Sequence, residues 1–468
     1  MIPTAPVLRR LGELQIIDAA RQAALAREGI LTLADLELAI AEQRAAVRDA
    51  GLQRGVQVLM DERRPLTLGR AWDILDPLMA AIAARCPDVQ ALEAAGAVRR
   101  SAPLVHALTL IGRAAHPESA IECLVNLPAV SDVRYRGPNR TLLSLEGHDV
   151  DVRLAPADAY GSALFAATGP ASHVAAVRKR RAPRLDASEA DVYTAAGLAY
   201  LPPELRDAPD ALDAARHKSV PRLVQREDIR GDLHMHTIYS DGRDTLRRML
   251  QASHALGYEY VAITDHSEHA GAARTLTPEQ LTRQRDEIEG LRDEFPRMTI
   301  LHGLEVDILP DGHLDCSDAV MASLDIVLAS LHDAAGHSRT RLTERCVGAI
   351  RHPLVSAITH PMNQLVGQRD GYDMDYPAIY AAAAETGTAL EIDGAPAHLD
   401  LNGERAREAV SAGVTVIIDS DCHRARSLDR QMRMGVGTAR RGWVEPGHVL
   451  NARALPDVRA FFAGKRRR

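Results

Sequence analysis

Seven short apolar runs in the C-terminal half of this 468-residue chain lead into side chains that bind metal ions. His234 and His236 stand two residues apart, so on a strand both point to one face and can bind the same ion. The runs occupy residues 232–236, 260–266, 300–305, 326–332, 357–360, 389–393 and 416–423. The candidate metal ligands in and beside them are His234, His236, Asp241, His266, Glu305, His332, His360, Asp421 and His423.

The donor types restrict the metal and the chemistry. A lone histidine, such as His302 or His254, is usually a surface or core residue, but a series of strand-end ligands favours a metal centre. Imidazoles with carboxylates, and Cys422 as the one thiol beside them, favour Zn²⁺, Mn²⁺ or Fe²⁺ over Mg²⁺ or Ca²⁺. At about four or five ligands per ion, this donor set predicts two or three divalent ions. Phosphoester hydrolysis is the reaction class that such multinuclear centres serve.

The pattern around the ligands predicts the elements that position them. From residue 229 onward, apolar runs alternate with amphipathic segments at 245–256, 278–295, 375–384 and 401–412. Alternating strands and helices form parallel (β/α) barrels, whose C-terminal strand ends converge on one mouth. Seven strands predict a distorted barrel over 229–468. Upstream, residues 1–62 are predicted to be helical, with Thr32 as a helix cap, and residues 63–215 to be mixed α+β.

Composition excludes several other classes. The length predicts two or three domains, and the formal net charge of −7 argues against a protein that coats nucleic acid through bulk charge. No apolar run approaches the roughly 20 residues that cross a bilayer, so no membrane association is expected. Five cysteines without a CxxC pair predict no disulfide framework and no zinc ribbon. We therefore expect a cytoplasmic protein, whose oligomeric state stays open.

The ligand-bearing segments resemble the polymerase and histidinol phosphatase (PHP) domain. The resemblance rests on Gly231 to Thr237 with Ser240 to Gly242, and on the motifs around the other ligands. Within that family, residues 229–232, 399–401 and 435–443 are most similar to the PHP domain of bacterial family X DNA polymerases. The resemblance implies a distorted (β/α)₇ barrel with three ions. The implied ligand groups are His234, His236, Glu305 and Asp421; Glu305, His332 and His360; and Asp241, His266 and His423.

The resemblance also implies roles and substrates. Glu305, His266 and Asp421 are the expected catalytic residues. The family's activities are 3′-5′ exonuclease, 3′-phosphatase and abasic-site cleavage on DNA, and histidinol-phosphate hydrolysis in other branches. His398 stands where the family has an arginine, which weakens an expected phosphate contact, and Arg274 is a candidate substitute.

Upstream, the resemblance to a family X polymerase is incomplete. Residues 95–100 and 150–153 resemble its palm, but Ala97 replaces the serine of the phosphate-binding turn. His106 and Leu108 occupy the positions of an expected Asp-x-Asp pair, so Asp151 is the one carboxylate left. Two Mg²⁺ ions require more carboxylates than that. Residues 8–15 keep a remnant of a helix-hairpin-helix element without its glycine hairpin. We predict that residues 1–62 and 63–215 are degenerate and that polymerase activity is lost.

Three functional hypotheses follow. The first is DNA 3′-end processing, as an exonuclease, a 3′-phosphatase or an abasic-site lyase. The second is a small-molecule phosphatase of the histidinol-phosphatase type, acting on a phosphomonoester. The third is a module without catalysis that keeps the metal site for stability. Few aromatic residues, 3% of the chain, argue against tight binding of single strands by base stacking.

Overall fold

The computed structural model describes residues 5–62, 64–182, 184–270 and 274–467. The chain divides into two compact units, Met1–Val220 and Pro221–Arg468, which we call the N-terminal and C-terminal units. The predicted division of the first unit at residues 62 and 63 stays a prediction. None of the helices among the described residues combines the length and apolar character needed to cross a bilayer.

The N-terminal unit begins with short helices that have their own apolar core. Thr32 accepts a hydrogen bond from the Asp35 backbone N–H and forms a capping box with it, which confirms the predicted cap. Leu8, Leu25 and Leu36 are fully buried in this core. The α-helices of the described part are α1 (Pro6–Glu13), α2 (Ala19–Arg27), α3 (Leu33–Ala41), α4 (Ala50–Glu62), α5 (Leu68–Arg85), α6 (Gly96–Arg99), α7 (Pro117–Val125), α8 (Tyr160–Thr168), α9 (Ala171–Arg178), α10 (Glu189–Ala195) and α11 (Ala211–His217).

A mixed five-stranded sheet follows those first helices. Its spatial order is β2-β4-β7-β6-β5, and β4 and β7 are parallel while the other neighbours are antiparallel. β1 and β3 form a separate antiparallel pair. The strands are β1 (Leu66–Thr67), β2 (Gln90–Ala94), β3 (Leu104–Val105), β4 (Leu108–Arg113), β5 (Asp132–Arg136), β6 (Arg140–Leu145) and β7 (His148–Ala155). The predicted α+β character of this region is confirmed.

A disulfide joins Cys86 and Cys123 in the N-terminal unit, with Cα atoms 5.7 Å apart. The cysteine pattern did not predict it, because the partners stand 37 residues apart. Cys86 ends α5 and Cys123 lies in α7, so the tertiary fold creates the pair.

The C-terminal unit is the predicted distorted barrel of seven parallel strands. Its sheet runs in chain order from β8 to β14, and every hydrogen-bonded neighbour is parallel. The strands are β8 (Gly231–Asp232), β9 (Tyr260–Ile263), β10 (Thr299–Asp307), β11 (Ile326–Ser330), β12 (Ala357–Thr359), β13 (Ala389–Asp393) and β14 (Val416–Asp419). They are almost wholly buried, as expected for a parallel sheet with both faces covered.

The two edge strands of the barrel meet through side chains as well as backbone. Met235 and Cys422 form a parallel bridge. The side-chain amide of Asn451 donates to the carbonyls of Gly231 and Ile418 and accepts from the Ile418 N–H. These hydrogen bonds link the first and last strands of the sheet.

Helices cover the outside of the barrel, and the last one closes its lower end. Val458 and Phe462 pack against Leu233, Tyr260 and other side chains from the N-terminal strand ends. The barrel interior is therefore apolar at the end covered by the last helix. The polar groups lie at the other end, where the strands finish. The α-helices of the described part are α12 (Leu246–Ala255), α13 (Pro278–Leu291), α14 (Asp318–Ala322), α15 (Arg339–Arg351), α16 (Tyr376–Thr386), α17 (Gly403–Ser411), α18 (Leu428–Arg441) and α19 (Leu455–Arg466).

Candidate metal centre

All nine sequence-derived candidate ligands converge at the C-terminal end of the barrel. His234 and His236 follow β8, His266 follows β9, and Glu305 lies within the long strand β10. Asp241 lies in the loop between β8 and the next helix. The remaining candidates follow later strands: His332, His360, Asp421 and His423. Three clusters of donor atoms result, each compact enough for one ion: His234, His236 and Asp421; His266, Glu305 and His332; and His236, Asp241, His266 and His423.

Glu305 stands at the centre of the cluster and is fully buried. Its Oε1 lies 3.2 Å from His332 Nε2 and 3.0 Å from His360 Nε2. Its Oε2 lies 2.8 Å from His266 Nδ1 and 3.5 Å from His234 Nε2. The two oxygens of one carboxylate thus face different histidines, which is the arrangement of a carboxylate that bridges two ions.

The strand-end pair and Asp421 form a second group. His234 Nε2 and His236 Nε2 are 3.1 Å apart, and His236 Nε2 is 3.1 Å from Asp421 Oδ1. His234 Nε2 is 3.6 Å from the same oxygen. The spacing of two residues along the chain brings both imidazoles to one face, as the sequence predicted.

Asp241 and His423 form the outer edge of the centre. His423 Nε2 lies 3.0 Å from Asp241 Oδ2, and His266 Nε2 lies 3.6 Å from Asp241 Oδ1. The ring of His236 stacks between those of His266 and His423, with centroids 4.4 Å from each. Its Nδ1 is 3.8 Å from Asp241, so His236 faces two groups rather than the single one that the family pattern implied.

These distances suit divalent ions. Two donors bound to one ion at about 2.1 Å lie about 3.0–3.4 Å apart when they subtend about 90–109° at the ion. Among the described residues, the buried His236 Nδ1 has no hydrogen-bond partner. A buried ring nitrogen without a partner is costly unless a cation or a hydrogen bond satisfies it.

Charge within the cluster also fits cation binding. Although burial opposes ionisation, the imidazoles of His266, His332 and His234 hold the pKa of Glu305 well below its usual value. In turn, although burial opposes it, the Glu305 and Asp307 carboxylates raise the pKa of His332 to about 10, and Asp421 and Asp241 raise the pKa of His423 to about 9. The carboxylates of the cluster therefore attract positive charge, which a divalent ion would supply in place of these protons.

Carboxylates behind the ligands orient two of the imidazoles. Glu391 Oε1 lies 2.6 Å from His234 Nδ1, and Asp307 Oδ1 lies 2.7 Å from His332 Nδ1. Each contact leaves Nε2 of the histidine facing the centre. The apolar run 389–393 contains Glu391, but neither carboxylate is among the site residues that the sequence predicts. One feature of the sequence could have indicated Asp307. It stands two residues after Glu305, so on a strand both side chains point to the same face.

Asp265 organises the loop that carries Asp241. Its carboxylate accepts hydrogen bonds from the backbone N–H and the hydroxyl of Thr237, each at 2.7 Å, from Gln284 at 2.6 Å, and from Ser240. A Cβ on Gly242 would lie 2.6 Å from the Thr237 backbone, so only glycine fits there. The loop is therefore held in place by a buried carboxylate that faces away from the metal ligands.

The two predicted phosphate contacts have different positions. His398 stacks on His360, with ring centroids 5.5 Å apart, and its Nδ1 lies 3.0 Å from the Gln364 carbonyl. Arg274 is exposed and follows residues 271–273, which lie outside the described part. The Cys422 thiol is buried with its Sγ directed to the Arg424 carbonyl, and it belongs to none of the three donor clusters found among the described residues.

Comparison with known proteins agrees with this geometry. The PHP domain family matches residues 232–379. The DNA polymerase/3′-5′ exonuclease PolX of Bacillus subtilis (strain 168) is 37% identical over 388 residues, which cover 78% of this chain and 68% of that protein. The chain belongs to the bacterial PolX family. As a PolX-family member with a PHP domain and this donor cluster, it is a metal-dependent phosphoesterase.

Other similar proteins match less than half of this PolX-family chain. A probable phosphatase of Thermoanaerobacter sp. (strain X514) is 30% identical over 204 residues, 41% of this chain and 78% of that protein. The solved histidinol phosphate phosphatase of Lactococcus lactis subsp. lactis, complexed with zinc, L-histidinol and phosphate, is 16% identical with a TM-score of 0.35. It covers 46% of this chain and 95% of that one.

The five-stranded sheet of this PolX-family member holds Asp151 in ion pairs. Arg140 donates to both oxygens of Asp151 at 2.8 Å, and Arg153 Nη2 lies 2.7 Å from Asp151 Oδ2. Both arginines also pair with Asp35, at 2.6 and 3.0 Å. A cavity of about 310 Å³ at this place is lined by His106, Leu108 and Asp151, among others.

Proposed function

We propose that this protein hydrolyses phosphoesters at DNA 3′ ends with its C-terminal metal centre and no longer polymerises DNA. The support for the hydrolase half is the donor cluster around Glu305, combined with membership of the PolX family. The support for the loss of polymerisation is the state of Asp151. A carboxylate that two arginines already neutralise, beside Leu108 and His106, has no charge left for two Mg²⁺ ions.

In this proposal the nine candidates hold two or three divalent ions, Mn²⁺ or Zn²⁺, with Fe²⁺ as a further candidate. His234, His236 and Asp421 hold one ion, and His266, Glu305 and His332, with His360 beside Glu305, hold a second. The third group is His236, Asp241, His266 and His423, in which His236 and His266 are shared with neighbouring groups. When bound, such ions act as Lewis acids on a phosphoryl oxygen and supply an activated water at neutral pH.

The chain's own residues fix the geometry of the reaction. Glu305 fixes the distance between the two ligand groups on either side of it, because its Oε1 faces His332 and His360 while its Oε2 faces His266 and His234. His266 contacts Glu305 and Asp241, so it couples the inner and outer groups. Asp421 holds the strand-end histidines together. These contacts support the catalytic roles proposed for Glu305, His266 and Asp421.

The substrate is proposed to enter where the ligands are open to solvent. The side chains of Asp241 and His423 are 30% and 33% exposed, whereas Glu305 and His234 are fully buried. The half-buried His398 stacks on His360, and its Nδ1 donates to the Gln364 carbonyl. In the neutral ring Nε2 is then an acceptor, which suits a substrate hydroxyl better than a phosphate oxygen. His398 and Arg274 both stay candidates for substrate contacts.

A small phosphomonoester is the second candidate substrate. Two observations favour it: a probable phosphatase matches 41% of this chain and 78% of its own length, and the helix-hairpin remnant at residues 8–15 has no glycine hairpin. A hydrolase that lacks DNA-gripping elements is expected to accept small substrates more readily than long ones. The two candidate substrates differ in size: a DNA strand carries further phosphates beyond the one that is hydrolysed, and a small phosphomonoester does not.

One comparison separates them. Purified full-length protein with Mn²⁺ is given a 3′-recessed duplex, the same duplex with a 3′-phosphate, or histidinol phosphate. We expect kcat/KM to be higher for either DNA substrate than for histidinol phosphate. The reverse order would replace the first proposal by the second. Hydrolysis of none of them, with metal bound, would support the module without catalysis.

A further inference from the structure

Arg369 is an exposed arginine on the loop that follows the candidate ligand His360. The loop folds into a small hairpin, because Leu365 and Arg369 exchange backbone hydrogen bonds of 2.9 Å. The hairpin leaves β12 at the C-terminal end of the barrel, which is the end that carries the metal centre. The hairpin therefore begins on the same end of the barrel as the metal centre.

The guanidinium is held in one orientation by its neighbours. Its Nη2 donates to the Asn363 backbone carbonyl at 2.7 Å and to the Asn363 side-chain oxygen at 3.1 Å. The Asn363 amide in turn donates to the His332 carbonyl at 2.9 Å, and the Tyr372 hydroxyl donates to the same carbonyl at 3.0 Å. The Arg369 guanidinium also lies 5.9 Å from the centre of the Tyr372 ring. Its position is thus coupled by two hydrogen bonds to a candidate metal ligand.

The charge of Arg369 is not compensated by the protein. Within the described ranges it makes no ion pair with a carboxylate, whereas the nearby Arg339 and Arg405 pair with Asp373 and Glu408 at 3.2 and 2.7 Å. The guanidinium has further N–H donors beyond the two bonds to Asn363. An oriented arginine with free donors and an uncompensated charge is suited to phosphate oxygens.

We propose that Arg369 binds a phosphate of the substrate next to the one that is hydrolysed. The inference rests on the proposed function, because it requires a substrate with more than one phosphate. A phosphate held by the ions would lie beside Glu305 and its histidines, whereas Arg369 is joined to that cluster only through Asn363 and the His332 carbonyl. A nucleic acid strand presents a second phosphate and a small phosphomonoester does not, so Arg369 favours DNA as the substrate.

The test compares three full-length variants with Mn²⁺. Arg369→Ala removes the contact and Arg369→Lys keeps the charge. Arg459→Ala removes an equally exposed arginine on α19, the helix that closes the opposite end of the barrel. Each protein is assayed on a 3′-recessed duplex and on para-nitrophenyl phosphate, over a range of salt concentrations.

We expect Arg369→Ala to reduce kcat/KM for the duplex on the order of tenfold more than for para-nitrophenyl phosphate, mainly through KM. The slope of log kcat/KM against log salt for the duplex should become shallower by about 1, because one phosphate contact is lost. Arg369→Lys should keep the steeper slope. Arg459→Ala should leave both activities as in the wild-type protein.

Three results would overturn the inference. An equal loss on both substrates would mean that Arg369 only supports His332 through Asn363. A duplex activity and salt slope equal to those of Arg459→Ala would mean that Arg369 binds no phosphate. If the wild-type protein hydrolyses para-nitrophenyl phosphate but no DNA, the proposed DNA substrate is wrong and this inference fails with it, a result that differs from a wild-type-like Arg369→Ala.

Discussion

Glu391 Oε1 lies 2.6 Å from Nδ1 of His234, and both side chains are completely buried. The other oxygen of Glu391 accepts from the Thr359 hydroxyl and from the His360 backbone N–H at 2.7 Å. One carboxylate therefore fixes the His234 ring and the start of the segment that carries His360. Through this pair, two ligands from distant strands share one orienting group.

Replacing Glu391 by Gln should lower metal affinity about 10- to 100-fold, because the amide no longer orients the His234 ring or supports its basicity. Hydrolysis should fall in parallel and recover partly at high Mn²⁺. Titration of the metal-free protein with Mn²⁺, followed by calorimetry, measures the affinity. Glu404→Gln, an exposed change in the first turn of α17, is the matched control. Equal affinities for the two variants would contradict the orienting role.

Replacing Arg140 by Ala should destabilise the N-terminal unit by about 3–5 kcal/mol, because Asp35 and Asp151 are then left buried with one arginine between them. The neighbouring Arg153 and Arg140 hold the pKa of Asp35 well below its usual value despite burial. Chemical unfolding followed by circular dichroism measures the loss. Arg70→Ala, which breaks an exposed pair with Glu146, is the control and should cost less than about 1 kcal/mol.

The same ion pairs predict that polymerase activity is not easily restored. Introducing aspartates at His106 and Leu108 should not produce primer extension, because Asp151 stays paired with Arg140 and Arg153. Primer extension with Mg²⁺ and all four nucleotides is the measurement. Extension by the double variant would show that the missing carboxylates alone account for the loss.

The barrel could be predicted closely because buried parallel strands are continuous apolar runs. The run ending at His266 predicted β9, and the segment 278–295 predicted α13 with the short turn after it. The convergence of the candidate ligands could be predicted because most of them stand at or just beyond the ends of such strands. The orienting carboxylates could not, since the partners of Glu391 and Asp307 come from other strands and depend on barrel closure.

Upstream, prediction from sequence succeeded for local features and failed for distant ones. The Thr32 cap depends on residues three positions apart and was predicted. The Cys86–Cys123 bond and the pairing of Asp151 with Arg140 and Asp35 depend on how helices and strands pack. No spacing along the chain indicates either.

The disulfide should stabilise the N-terminal unit in oxidised protein. Closing a loop of 37 residues is worth about 4 kcal/mol in the chain-entropy description. Cys123→Ser should therefore lower the unfolding midpoint of oxidised protein and have a much smaller effect under reducing conditions. Cys316→Ser changes a thiol without a disulfide and is the control. No difference between oxidised and reduced wild-type protein would contradict the prediction.

Lys465 should make stability depend on pH in the alkaline range. Burial lowers its pKa to about 7, and its amine donates to the Ile350 carbonyl at 2.7 Å and to Thr388. Because the unfolded chain holds this proton more tightly, the destabilisation is complete below pH of about 7 and disappears as pH rises towards about 10.5. Stability should therefore increase with pH through this window.

Lys465→Met removes the titrating amine while keeping most of the side-chain volume. The variant should be more stable than the wild-type protein at pH 7, and the difference should shrink by pH 10. Thermal unfolding at both pH values gives the comparison, and taking the difference between the two proteins cancels the other titrating groups. A difference that is constant with pH would contradict the assignment.

The central claim is that the barrel centre hydrolyses DNA ends while the N-terminal unit does not extend them. One reaction tests both parts: a 5′-labelled, 3′-recessed duplex with Mn²⁺, Mg²⁺ and all four nucleotides, given to the wild-type protein and to Glu305→Gln. We predict that the wild-type protein shortens the labelled strand, that no longer product forms, and that Glu305→Gln slows shortening at least about 100-fold, because the buried bridging carboxylate is lost. Lengthening of the strand, or equal shortening by both proteins, would contradict the account.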